Sequence, residues 1–233
     1  IEVRRAGRGT PSDFTAAFME ARYRDGSAMP DPLLRDELMT LTTTGYETVG
    51  DGLSWVWFCL CQHPDVETRL LTELDDALGG RAPDPQAVSS LRYTDMVIAE
   101  SMRLYPPTWV YVRLPLEADT LPSGTRIEPG SKLYLCPYVM HRHPQYFPEP
   151  ERFDPQRFQD PDARRRLYYV YFPFGIGAHK CIGEHLAMLE AILVVAYVAP
   201  RFRFQLVDAS SVRRFAGITL RASKGIRVLV ERR

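Results

Sequence analysis

Hydrophobic and polar positions along the chain follow a helical period in four long stretches. Asp31-Pro32 predicts a helix start, a side-chain acceptor placed ahead of a proline whose missing N–H is no loss in the first turn. No proline follows until Pro64, so one long helix is expected over 31–62. Gly45, Gly50 and Gly52 lie inside it, each costing up to about 1 kcal/mol relative to alanine. Beyond His63-Pro64, residues Val66, Leu70, Leu71, Leu74 and Leu78 fall on one face of a second helix, closed by Gly79-Gly80. A third is expected from about Leu91 to Leu104, where Pro106-Pro107 ends it. Leu186, Leu189, Ile192, Leu193, Ala196 and Tyr197 mark one face of the last, which stops before Pro200. A shorter helix is expected around Phe14 to Tyr23.

Elsewhere the period changes to that of short strands. Trp109 to Leu114 and Lys132 to Leu135, separated by the turn signals Pro122-Ser123-Gly124 and Pro129-Gly130, predict a small antiparallel sheet. Phe202 to Val207, Ile218 to Arg221 and Ile226 to Glu231, with a turn at Lys224-Gly225, predict further strands. Residues 141–180 keep no period and read as a long ordered coil. The expected fold class is mainly α with a small β component.

Composition narrows the function classes. The 233 residues are 45% hydrophobic and 25% charged, values of a globular chain that can bury a core. Twenty-nine basic residues balance 29 acidic ones, so no polyanionic partner such as nucleic acid is indicated. No apolar run approaches the ~18 residues of a membrane span. Four cysteines are too few for a cross-linked secreted scaffold, and the expected setting is a reducing compartment, the cytoplasm. The opening IEVRRAGRGT has neither an initiator methionine nor an apolar segment, and is not expected to be a signal peptide or a natural start.

The segment Phe172–Gly183, FPFGIGAHKCIG, carries the most chemical information. It sets Cys181 at a helix start, where backbone N–H groups and the helix dipole stabilise a thiolate able to attack or bind a metal. Gly175, Gly177 and Gly183 permit close approach of the loop to a flat, rigid ligand. A glycine-rich turn around a buried, inert cysteine is the alternative reading of the same residues.

Phe174, Gly177, His179, Cys181 and Gly183 match the cysteine-ligand loop of the haem-thiolate monooxygenases, and the sequence resembles the cytochrome P-450 family. The resemblance implies that Cys181 is the axial iron ligand of haem b (iron protoporphyrin IX), its sulfur pushing electron density onto the metal. It further implies that His179, where the family more often has arginine, reaches a haem propionate, that Phe174 packs near the sulfur, that Gly175, Gly177 and Gly183 let the loop approach the cofactor, and that Arg113 is a second propionate contact. Glu100 and Arg103 in AESMRLYPP, taken alone, have the spacing of an ordinary surface pair worth a few tenths of a kcal/mol. By resemblance they form a structural triad with Arg157 of FDPQRF. TTTGYETVG resembles the oxygen-binding helix, with Gly45 allowing close passage and Glu47 and Thr48 as the catalytic acid–alcohol pair that delivers protons. Thr44 stands where the family commonly has alanine, and the resemblance implies that it, Trp109, Val110 and Gly217 in the Ala216–Ile218 turn lie where the family usually contacts substrate, packing being the alternative reading for the aromatic there.

These matches run from about Asp31 to the carboxyl end, so the chain is expected to be the carboxyl-terminal part of one incomplete domain over 1–233, from the oxygen-binding helix through the ligand loop to the final β hairpin. The implied activity is insertion of one oxygen atom from O2 into a hydrophobic small molecule, with electrons from a separate ferredoxin or flavin reductase. Two other functions remain open: a haem-thiolate protein that senses, isomerises or uses peroxide, against which the Glu47-Thr48 pair argues, and a non-catalytic remnant that binds no haem. Cys59, Cys61 and His63 have the look of a metal cluster, but on a helix Cys61 points about 160° away from Cys59. His141 and His143 read as ordinary coil histidines. Lys180 and the Arg164–Arg166 run form a basic patch suited to an acidic electron donor, or simply a solvated charge run.

Overall fold

Prolines and glycines set the helix boundaries in the computed structural model, which describes Ile1, Val3, Ala6, residues 13–160, Asp162, Arg165 and residues 167–233. Arg164 and Arg166 of the arginine run lie outside the described residues. Helix α1 spans Phe14–Glu20, with Asp13 accepting the Ala16 N–H at 3.0 Å as its cap. Helix α2 spans Asp31–Gln62, α3 Pro64–Leu78, α4 Arg92–Leu104, α5 Pro137–Met140 and α6 Glu184–Val198. The described residues form two units, Ile1–Glu47 and Thr48–Arg233, with the boundary inside α2.

The second unit is built around α4. From Tyr93 to Leu104 every residue except Asp95 is buried. Its neighbours in the core are Val66, Leu70, Leu74 and Leu78 of α3, Val56, Cys59 and Leu60 of α2, and Ala191, Ile192, Val195 and Ala196 of α6. The start of α4 has no cap of its own. The Glu73 carboxylate of α3 supplies one, accepting from Tyr93 N at 2.6 Å and from Thr94 N and Oγ1 at 2.8 Å each.

On α3 the expected face is the buried one, with Leu71 at its half-exposed edge. On α6 the buried stripe is offset from expectation: Ala191, Ile192, Val195 and Ala196 are inside, whereas Leu186 and Tyr197 are exposed. Apart from Glu190, residues 186–199 are all apolar, so periodicity could not choose the face and tertiary packing did.

Strands among the described residues form four antiparallel pairs: β1 (Tyr111–Arg113) with β4 (Leu133–Leu135), β2 (Asp119–Thr120) with β3 (Arg126–Ile127), β5 (Phe202–Leu206) with β8 (Val228–Arg232), and β6 (Arg214–Ala216) with β7 (Leu220–Ala222). Helix α5 and strands β2, β3 and β6 are only two to four residues long, too short to show a period in the sequence. Ile218, expected in a strand, instead stands 94% exposed at the tip of the β6–β7 hairpin, where Gly217 N donates to Thr219 O at 3.1 Å. That hairpin is tied back to the core. Trp55 of α2 stacks on Tyr105 at 4.3 Å between centroids and donates from Nε1 to Leu220 O at 2.8 Å, and Leu220 N donates to Pro107 O at 2.8 Å.

Candidate functional site

Cys181 sits three residues ahead of the first residue of α6, in the loop that begins at Phe172. It is exposed and in no disulfide. Its backbone N–H donates to Phe174 O at 2.8 Å, and Gly175 N donates to Phe172 O at 3.0 Å, so two backbone bonds close the loop on itself. Gly175 (φ +74°) and Gly177 (φ +75°) adopt the left-handed backbone that side chains disfavour. At Gly175 a Cβ would stand in ordinary van der Waals contact with the Tyr111 ring at 3.5 Å. Gly183 differs: its φ is −85°, and a Cβ would make only ordinary contact with Cys181 Sγ at 3.8 Å. His179 ends a short 3₁₀ turn, Gly177–His179, and is exposed. Phe174 is half-buried against the core, and Lys180 pairs with Glu184.

Behind the loop lies a buried charged group. Arg103 donates from Nε to Glu100 Oε2 at 2.7 Å and from Nη2 to Glu100 Oε1 at 2.9 Å, with both side chains fully inaccessible to solvent. The remaining guanidinium hydrogens go to backbone carbonyls of the coil: His141 at 2.9 Å, Pro150 at 2.7 Å and Arg152 at 3.0 Å. Arg157 Nε approaches Glu100 Oε1 at 3.3 Å, and Asp154 N donates to the same oxygen at 2.8 Å. Burial pushes the Glu100 carboxyl pKa up, and the Arg103 guanidinium opposes it. The three residues thus pin the long coil to α4.

Two residues outside the expected set hold the start of the loop. The His141 ring is buried, and its Nε2 accepts from Phe172 N at 2.9 Å. Burial and the neighbouring Arg103 charge push its pKa down to about 3, so the ring is neutral and its proton resides on Nδ1. Tyr111 of β1 donates its hydroxyl to Pro173 O at 2.9 Å, and burial raises that phenol to about 12, with Cys181 the next contributor. Tyr111 had a signal in the sequence, since period-two alternation places it on the face of Trp109 and Arg113; His141 had none, because its role comes from burial.

Trp109 and Gly217 are brought together, Trp109 Nε1 donating to Gly217 O at 2.8 Å, and Val110, next to Trp109 in sequence, is half-buried. Arg113 is half-exposed, and its Nη1 donates to Val112 O at 3.0 Å. On α2, Thr44 is exposed with Oγ1 bonded back to Thr40 O at 2.8 Å, Glu47 is exposed and Thr48 half-buried. A Cβ at Gly45 would meet nothing within 4 Å. Thr44, Gly45 and Glu47 belong to the first unit, Thr48 to the second. The cysteines of the apparent metal cluster diverge: Cys59 is buried in the core with its pKa raised to about 12 by burial, Cys61 Sγ donates to Phe204 O at 3.3 Å, and His63 Nδ1 turns to Cys59 O at 2.7 Å.

The residues of the loop fit a haem-ligating role on chemical grounds. The thiol is accessible rather than sealed in hydrocarbon, it lies beside the N–H groups of a 15-residue helix, and the glycines flanking it on the loop side hold a tight backbone course.

Comparison with known proteins bears on the whole chain. A family model described as "Cytochrome P450" matches residues 2–230, a match that begins upstream of Asp31. Cyclooctatin synthase of Streptomyces melanosporofaciens is 39% identical over 206 residues, covering 88% of this chain and 45% of that protein. Cyclooctat-9-en-7-ol 5-monooxygenase of the same organism is 36% identical over 213 residues, covering 91% and 46%. A crystal structure of a cytochrome P450 (CYP102L1) superposes with a TM-score of 0.89 at 24% identity, covering 100% of this chain and 54% of that one, which shows a shared fold. The chain spans about half the length of the curated relatives it matches.

Proposed function

The chain belongs to the cytochrome P450 family, and from that membership we propose that it carries the thiolate-ligand half of a haem-thiolate monooxygenase acting on a hydrophobic small molecule. The observation that carries this reading is the accessible Cys181 thiol at the start of α6, in a loop whose backbone is bonded to itself and anchored to the Glu100–Arg103 pair through His141. In this reading the domain is single, with Cys181 holding the iron of haem b and His179 and Arg113 holding its propionates. The bound haem supplies activation of O2 for transfer of one oxygen atom to substrate, with electrons from a separate ferredoxin or flavin reductase.

The chain's own residues do the rest. Glu100, Arg103 and Arg157 fix the coil from which the ligand loop departs. Thr48 and Glu47, adjacent on α2, orient and pass protons on the oxygen side. Trp109, locked by its bond to Gly217, sets with Val110 the shape offered to substrate, and Thr44 of the first unit is a further substrate-contact candidate. The relative named as a 5-monooxygenase supports this reaction class. No helix among the described residues is long and apolar enough to cross a membrane. Four free cysteines suit a reducing compartment, which for this reading is the cytoplasm. A carbon monoxide difference spectrum of the reduced, haem-loaded chain tests the proposal: a strongly red-shifted Soret band is expected, and a chain that takes up haem without that band would overturn it.

A further inference from the structure

We propose that His141 and Tyr111 act as a two-point clamp that positions the Cys181 loop, making both of them positioning residues for the thiolate. The clamp grips consecutive residues from two separate elements. His141, at the end of α5, accepts the Phe172 N–H at Nε2 (2.9 Å), and Tyr111, on β1, donates to the Pro173 carbonyl (2.9 Å). The gripped N–H and C=O belong to the peptide units on either side of the Phe172–Pro173 bond, so side chains from two directions restrain the segment at both flanks of that bond.

Each grip is itself rigidly backed. The His141 ring is fully buried, with Tyr171 at 5.0 Å and Phe172 at 5.5 Å between ring centroids, and the His141 carbonyl accepts from Arg103 Nη1 at 2.9 Å. An unbroken path of hydrogen bonds therefore leads from the Glu100–Arg103 pair through His141 to Phe172, whose own carbonyl accepts from Gly175 N. Tyr111 contributes through its ring as well as its hydroxyl, because that ring lies alongside the left-handed Gly175, where a Cβ would stand in ordinary van der Waals contact with it at 3.5 Å. Phe174, between the clamped residues and Gly175, provides the carbonyl that bonds the Cys181 N–H. Loss of either grip frees the segment that orients that carbonyl.

His141 works here as a neutral acceptor, which defines the substitutions that separate positioning from mere packing. His141→Phe keeps an aromatic ring and removes the acceptor; His141→Gln restores one; Tyr111→Phe removes only the hydroxyl. The functional meaning of the clamp rests on the proposed role of the Cys181 loop, whereas the measurements below are made on the haem-free full chain and read the clamp whether or not haem binds.

Hydrogen–deuterium exchange of the 172–181 segment, together with the alkylation rate of Cys181 by iodoacetamide, tests the inference. In His141→Phe and Tyr111→Phe, exchange in that segment is expected to rise on the order of tenfold with a changed Cys181 alkylation rate, while Arg92–Leu104 keeps wild-type protection, and His141→Gln is expected to recover most of the difference. Wild-type exchange at 172–181 in both phenylalanine variants would overturn the clamp, as would a rise shared equally by Arg92–Leu104, which marks general destabilisation. Should His141→Phe not fold, Tyr111→Phe, lacking one hydroxyl, decides between the same outcomes.

Discussion

Glu100 and Arg103, one turn apart on α4, are joined by two hydrogen bonds of 2.7 and 2.9 Å, and neither side chain is reached by solvent. At the surface the same spacing would contribute a few tenths of a kcal/mol. Here the arginine also satisfies three carbonyls of the coil, and the carboxylate accepts from Asp154 N and Arg157. Removing one partner leaves the other as a buried, unpaired charge. Glu100→Gln and Arg103→Met are each expected to cost roughly 3 to 5 kcal/mol, read as a lowered urea midpoint. Arg157 is 13% exposed and meets Glu100 at 3.3 Å, so Arg157→Met is expected to cost clearly less. Equal losses for the three would refute this ranking.

Cys181 is exposed, and its side chain carries little of the packing. Cys181→Ser is therefore expected to change unfolding free energy by under about 1 kcal/mol while abolishing the red-shifted carbon monoxide band. A variant that unfolds outright would show that the sulfur serves the core instead.

Much of this architecture was legible in the amino-acid order, and the failures have physical causes. Helices α2 and α3 begin and end where Asp31-Pro32, Pro64 and Gly79 place their limits, because those residues act through local backbone geometry. The α6 face was misjudged because an all-round apolar helix contains no directional information. Trp109 and Gly217, 108 residues apart, were singled out by resemblance alone, and no local pattern foretells their hydrogen bond. His141 passed for an ordinary coil histidine because its importance comes from burial against Arg103 and Phe172, a tertiary property. Glu73 drew no notice for a similar reason: it caps a helix other than its own.

That borrowed cap gives a sharp stability test. Glu73 takes the first N–H groups of α4 and the Thr94 hydroxyl, three donors on one carboxylate. Glu73→Ala leaves all three without it and is expected to cost about 1 to 2 kcal/mol. Glu73→Gln, which keeps the acceptor oxygen but not the charge at a helix N-terminus, is expected to lose less than half of that. An alanine variant as stable as the parent in urea titration would remove Glu73 from the account of α4.

Thr48 and Glu47 follow one another on α2, Thr48 half-buried and Glu47 exposed. If they serve proton delivery, Thr48→Ala keeps the carbon monoxide band but diverts reducing equivalents to hydrogen peroxide, with coupling expected to fall on the order of tenfold. Thr48→Ser, retaining the hydroxyl, is expected to restore coupling in large part. Unchanged product per electron in Thr48→Ala would show that protons arrive by another route.

Acid stability follows from the histidine that holds the ligand loop. His141 faces Arg103 of α4, its neighbour Arg142, and the rings of Tyr171, Phe147 and Phe172. Burial first, then the Arg103 charge, push its pKa from 6.5 down to about 3, so in the folded chain it stays neutral where the unfolded chain takes up a proton. The unfolded state binds more protons throughout that window, and stability must rise with pH across it. Above 6.5 neither state holds the proton and the dependence ends; from there down towards 3 the contribution to the slope approaches about 1.4 kcal/mol per pH unit. His141→Gln cannot titrate yet keeps an acceptor for Phe172, so its urea midpoint between pH 6.5 and 5 is expected to be flatter than that of the parent. Most carboxylates titrate below this interval, which isolates the histidine. Parallel profiles for parent and variant there would mean that His141 is protonated in the folded chain, and a protonated ring could not accept the Phe172 N–H on which the loop depends.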